Sequence, residues 1–174
     1  MRSFYFLTLF LVVGCSKDSD FKPVYDVPEG FQIYIDTFVS EAASRGFTYE
    51  ITNLIVKYDE GVTSPSCGRC NSIAKDAFVQ KIITINPNIQ CWFTDEEKEA
   101  FFIHELGHCV LGRLHNNSLL PNGDPKSIMA ESRLDVYSVC IYQIDENECD
   151  KRYKRPYYID ELFNEGTAIP EWAK

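Results

Sequence analysis

The stretch HELGHCVLGRLH, residues 104–115, holds all three histidines of the chain. His104 and His108 are four residues apart, a spacing that puts both rings on one side of a helix, one turn from each other. The stretch ends a segment, EEKEAFFIHELGHCVL, that carries the marks of a helix. Thr94-Asp95-Glu96-Glu97 reads as a capping box: the Thr94 hydroxyl accepts from the Glu97 amide, and the Glu97 carboxylate returns to Thr94. The acidic first turn suits the helix dipole. Phe101, Phe102, Ile103, Leu106 and Val110 lie almost all round, so the helix is expected to be buried. A buried His or Glu without a partner costs several kcal/mol. A metal ion supplies that partner. Zinc takes imidazole nitrogens at about 2.0–2.1 Å, which a rigid pair at this spacing can offer. Glu105 lies beside the pair and can reach a water on the metal without ligating the metal.

His115 poses a geometric problem. Seven residues beyond His108 on an unbroken helix is about 10.5 Å along the axis, too far for two ligands of one ion. For His115 to ligate, the helix must end between them. Gly112 is placed to end it, because glycine adopts the left-handed conformation that closes helices. Glu131, 23 residues after His108, and Asp124, in the loop NNSLLPNGDPKS, are the alternative third ligands.

His104-Glu105-Leu106-Gly107-His108 is an HExxH pattern, and it resembles that of the zincin metallopeptidases. With Gly112-Arg113-Leu114-His115 it resembles the metzincin branch, whose extended motif is HExxHxxGxxH. Here Cys109-Val110-Leu111 precede the glycine where that branch has two residues, a rotation of about 100°. Ser127-Ile128-Met129 resembles the methionine turn that lies under the metal in that branch. Metzincins often carry a tyrosine two residues after this methionine. The chain has Glu131 there, which leaves Tyr137 or Tyr142 to stabilise an oxyanion. Glu131 as a ligand would instead resemble the gluzincin branch.

The resemblance covers residues 94–131. It implies a small α+β, zincin-like domain, with a mixed β-sheet packed on the active-site helix and on a second helix. It implies Zn2+ held by His104, His108 and His115, and hydrolysis of peptide or protein substrates. Glu105 would be base and then acid as a zinc-bound water attacks. The competing reading is a lipid-anchored binding module that keeps zinc on the same scaffold without catalysis. The intact Glu105 speaks against it, and structural zinc normally has four protein ligands. Pro65-Ser66-Cys67-Gly68 resembles the cysteine switch of matrix metalloproteinases, but with Cys70 nearby a structural disulfide is the expectation. No matching pair remains to make CGRC half of a second zinc site.

The N-terminus reads as a targeting segment. Arg2 precedes an apolar run over residues 4–13 that is too short to span a bilayer and suits a signal-peptide core. Val12-Val13-Gly14-Cys15 resembles a bacterial lipobox, which implies cleavage after residue 14 and acylation of Cys15. Ser16 after it implies an outer-membrane address, facing the periplasm or the cell surface. Residues 15–28 are then a tether and 29–174 the catalytic domain. The net charge of −9 argues against a nucleic-acid partner and against attraction to anionic lipid, so the lipid anchor is the expected membrane contact of a monomer. In an oxidising compartment the six cysteines beyond Cys15 are expected to pair. The sequence does not choose among fifteen pairings, and Cys109 could equally be a free core thiol.

Elsewhere, residues 29–45 place Phe31, Ile35, Phe38, Val39 and Ala42 at helical spacing, with Gly46 as the stop. Residues 51–59 and 81–86 read as strands, and residues 72–77 as strand-like. EGVTSPSCGRCN reads as a loop. KIITINP is either an edge strand along the cleft or an interior strand. Residues 131–144 are expected to be helical, and YKRPYYIDELF shows no clear period.

Overall fold

The computed structural model describes residues 22–71, 79–131, 133–140 and 149–174. The expectations for Cys15, for residues 72–77 and for Tyr142 lie outside them. The chain forms a small α+β domain with helices α1 (Glu29–Ser44), α2 (Asp95–Cys109) and α3 (Arg155–Phe163) and strands β1 (Leu54–Tyr58), β2 (Gly68–Cys70) and β3 (Lys81–Ile85). Among the described residues no helix is long and apolar enough to cross a membrane.

α1 forms where the apolar spacing predicts it. It buries Phe31, Ile35, Phe38 and Ala42, one stripe of a 3.6-residue period. The helix gives way at Gly46, whose φ of 82° is open to glycine without steric cost. The sheet order is β1-β3-β2. β1 runs parallel to β3, with Leu54 opposite Lys81, and β2 runs antiparallel to it, with Gly68 opposite Ile85. β3 is therefore the interior strand, and its Ile83 and Ile85 are fully buried. The edge on this side is β2, which the sequence reads as loop. Its three residues are too few to show the alternation over about four to eight positions that marks a strand in sequence. They become a strand because β3 and α2 meet there: a Cβ on Gly68 would lie 2.4 Å from the Thr84 carbonyl and 2.6 Å from the Phe101 ring.

α2 begins at the Thr94 cap, whose Oγ1 accepts from the Glu97 amide at 3.2 Å. The returning Glu97 carboxylate accepts from the Phe93 amide at 2.7 Å, one residue earlier than the capping-box pattern. α2 is buried almost all round. It packs on α1 through Phe102, whose ring lies 4.8 Å from that of Phe31 and stacks at 5.3 Å on that of Tyr34.

Further expectations fail. Residues 133–140 contain turns and no helix. α3 forms instead in the segment without a clear period and buries Tyr157, Tyr158, Ile159, Glu161 and Leu162. Glu161 hid that face, because a carboxylate at a core position breaks an apolar stripe. Disulfides join Cys70 to Cys109 and Cys140 to Cys149. Cys109 is thus no free thiol. Among the described residues Cys67 and Cys91 form no disulfide, against the expected disulfide at Cys67.

Candidate metal centre

α2 presents His104 and His108 one turn apart, both buried. The helix then closes around Gly112, whose φ is 65°. The Gly112 amide bonds the His108 carbonyl at 3.2 Å, and the Arg113 amide reaches six residues back to the Gly107 carbonyl at 2.9 Å. That wide closure absorbs the extra residue before the glycine. The chain folds back, and the His115 ring comes to 4.7 Å from that of His108 and 5.3 Å from that of His104, centroid to centroid. The three histidines form one group with ligand atoms within 4.8 Å of one another. They could hold a metal ion.

The hydrogen bonds indicate which nitrogens are available. His104 Nδ1 lies 2.8 Å from the Ile128 carbonyl and His108 Nδ1 lies 2.6 Å from the Arg113 carbonyl. A carbonyl only accepts, so each Nδ1 carries the proton and donates. Each Nε2 of a neutral ring is then a bare lone pair, and the two Nε2 atoms face each other at 3.1 Å. Two lone pairs that close repel unless something positive lies between them. Tetrahedral zinc spaces its nitrogen ligands by roughly 3.3 Å, close to the observed gap. Burial lowers the His104 pKa to about 4 and lowers that of His108, against the pull of the Ile128 and Arg113 carbonyls. Both rings are thus held in the neutral form that ligates metals.

Glu105 sits in a cavity that encloses about 470 Å³ between Pro65–Gly68, Phe101, His104, His115, Glu131 and Leu134. Burial pushes its carboxyl up to about 7, while the Cys70 backbone amide pulls in the other direction. Its Oε2 has no hydrogen-bond partner among the described residues. Met129 is fully buried beneath α2. A Cβ on Gly107 would lie 2.5 Å from its sulfur, so the glycine of HELGH makes room for the methionine.

The alternatives fall elsewhere. Asp124 is bound to Lys154 Nζ at 2.6 Å and to Asn122 at 2.8 Å and is not in the histidine group. Glu131 lies beside the group, with Oε1 3.9 Å from His115 Nδ1. Tyr137 is fully buried in the core and does not line the cavity, which removes it as an oxyanion donor there. Cys67 does line the cavity wall. Burial, then the neighbouring Cys91 and the Glu105 charge, push its thiol up to about 12, and it is not in the histidine group. Sequence reasoning missed the Ile128 and Arg113 carbonyls and the Cys70 amide. Backbone groups of distant residues leave no mark on residue type.

Comparison with protein-family models, with curated proteins and with solved structures finds no match.

Proposed function

We propose that the protein is a zinc-dependent metallopeptidase of the zincin type, nearest in its site to the metzincin branch. One observation carries the reading: the Nε2 atoms of His104 and His108 face each other with the His115 imidazole beside them, and Glu105, whose Oε2 has no hydrogen-bond partner among the described residues, lines the same cavity as His104 and His115. His104, His108 and His115 would hold the zinc. Bound zinc supplies a Lewis acid that polarises a carbonyl and acidifies water. Glu105 takes the proton of the attacking water and returns it to the leaving amine, a role suited to a carboxyl poised near neutrality. β2 has β3 as its sheet partner on one side, and Gly68 borders the cavity. An extended peptide can add along such an edge. Met129 supports the ligand helix from below. The two disulfides suit an exported protein, which agrees with Cys15 as a lipid-bearing residue that tethers the enzyme at the outer membrane.

Tyr137 in the core favours a second reading, in which the same scaffold holds zinc and binds a peptide without cleaving it. One experiment addresses both. Residues 21–174, purified without chelator, should carry near one zinc per chain, falling sharply in His115→Ala. The wild type should cleave a generic peptide library. Glu105→Gln should keep its zinc and lose activity by about 10²–10⁴. Zinc without cleavage would select the binding module, and no zinc in the folded wild type would end both readings.

A further inference from the structure

The carbonyls that orient His104 and His108 belong to two separate turns, and one side chain of α3 ties the turns together. Arg113 follows the glycine closure and is buried. Its Nη1 donates to the backbone carbonyls of Glu161 and Leu162 at 3.0 and 2.7 Å, and its Nη2 donates to Glu161 Oε1 at 2.7 Å. The other carboxylate oxygen, Oε2, accepts from the Ser127 hydroxyl at 2.6 Å. The Ser127 oxygen in turn accepts from the Met129 amide at 3.0 Å. Ile128, whose carbonyl holds His104, lies between them. Glu161 is fully buried, and each of its oxygens is committed to a different turn.

We propose that Glu161 is a positioning residue of the metal centre. It fixes the turn at residue 113 against the turn at residues 127–129 and so aims the Nε2 atoms of His108 and His104 at one point. A carboxylate is well suited to this role, because it accepts on both oxygens at once, here one bond from the Arg113 guanidinium and one from the Ser127 hydroxyl, and hydrogen bonds to an ionised acceptor are the strong ones. Its consequence for metal affinity rests on the zinc reading above; its hold on the two rings does not. A buried ion pair that served stability alone would also attach α3 to the core. It would leave ring tautomers and metal affinity unchanged when weakened, and that separates the two roles.

The test uses the mature chain and Glu161→Gln, Ser127→Ala and, as a control on the same helix, Asp160→Asn, whose exposed carboxylate pairs with Arg45. Zinc affinity is read by competition with a chromogenic chelator. Ring tautomers are read by nitrogen NMR of the metal-free protein. Glu161→Gln should bind zinc about 10–100-fold more weakly, the usual effect of losing a group that orients a ligand. Both rings should then lose their single Nδ1–H form. Ser127→Ala should disturb His104 and spare His108, and Asp160→Asn should change neither. A folded Glu161→Gln protein with wild-type tautomers and zinc affinity within about twofold of wild type would overturn the proposal. If that variant does not fold, an unchanged His104 in Ser127→Ala overturns it. If the wild type takes up no zinc, the metal reading fails and the tautomers still decide the role of Glu161.

Discussion

Glu105 should weaken the fold that carries it. The metal-free protein holds its proton to about pH 7, against an ordinary value of 4.5, because the carboxyl is buried. Between those values the folded state keeps a proton that the unfolded chain has released. The contribution of Glu105 to stability is therefore greatest below about pH 4.5 and falls as pH rises through 7. The difference in proton affinity is worth about 3 kcal/mol, a sizeable part of the roughly 5–15 kcal/mol typical of a domain. Glu105→Gln keeps an acceptor for the Cys70 amide and removes the charge. Urea unfolding of chelator-treated wild type and Glu105→Gln, from about pH 4 to 8.5, reads the effect. The two should be nearly equal near pH 4, and the variant should lead by about 3 kcal/mol at pH 8. His104 and His108, whose lowered pKa values cost stability as pH falls below 6.5, affect both proteins alike and drop out of the difference. Parallel stability curves from about pH 5 to 8 would show that the Glu105 carboxylate is in water and that its burial costs the fold nothing.

Two further outcomes are expected. In Gly107→Ala the new methyl would meet the Met129 sulfur at 2.5 Å and a Leu162 methyl at 3.2 Å. Overpacking costs about 1–3 kcal/mol and outweighs the helix-propensity gain of about 1 kcal/mol. The variant should unfold at lower denaturant, and a higher midpoint would show that Met129 has room to move. The Cys70–Cys109 disulfide spans 39 residues of chain, for which loop entropy gives about 4 kcal/mol. Replacing both cysteines by Ala should lose about that much in equilibrium unfolding, and a loss under about 1 kcal/mol would contradict the entropic account.

The features legible in the residues alone are local. The stripe of α1, the Thr94 cap and the i, i+4 pair of His104 and His108 arise between residues a few positions apart, whose spacing is printed in the chain. The turn at Gly112 is of the same kind: one residue type opens one backbone conformation, and His115 folds back because of it. Other features depend on partners far along the chain and needed the folded molecule. β2 is a strand because β3 and α2 meet at Gly68. β3 is interior because β2 covers its other edge. Residues 133–140 leave the helix expected of them. α3 was illegible because its core face contains Glu161, and a buried carboxylate makes sense only once Arg113 and Ser127 are found beside it. The same holds at the site itself. Residue types announced which side chains could bind a metal, but the carbonyls of Ile128 and Arg113 set which nitrogen each ring presents. Every residue has a carbonyl, so only the folded chain shows which ones are used.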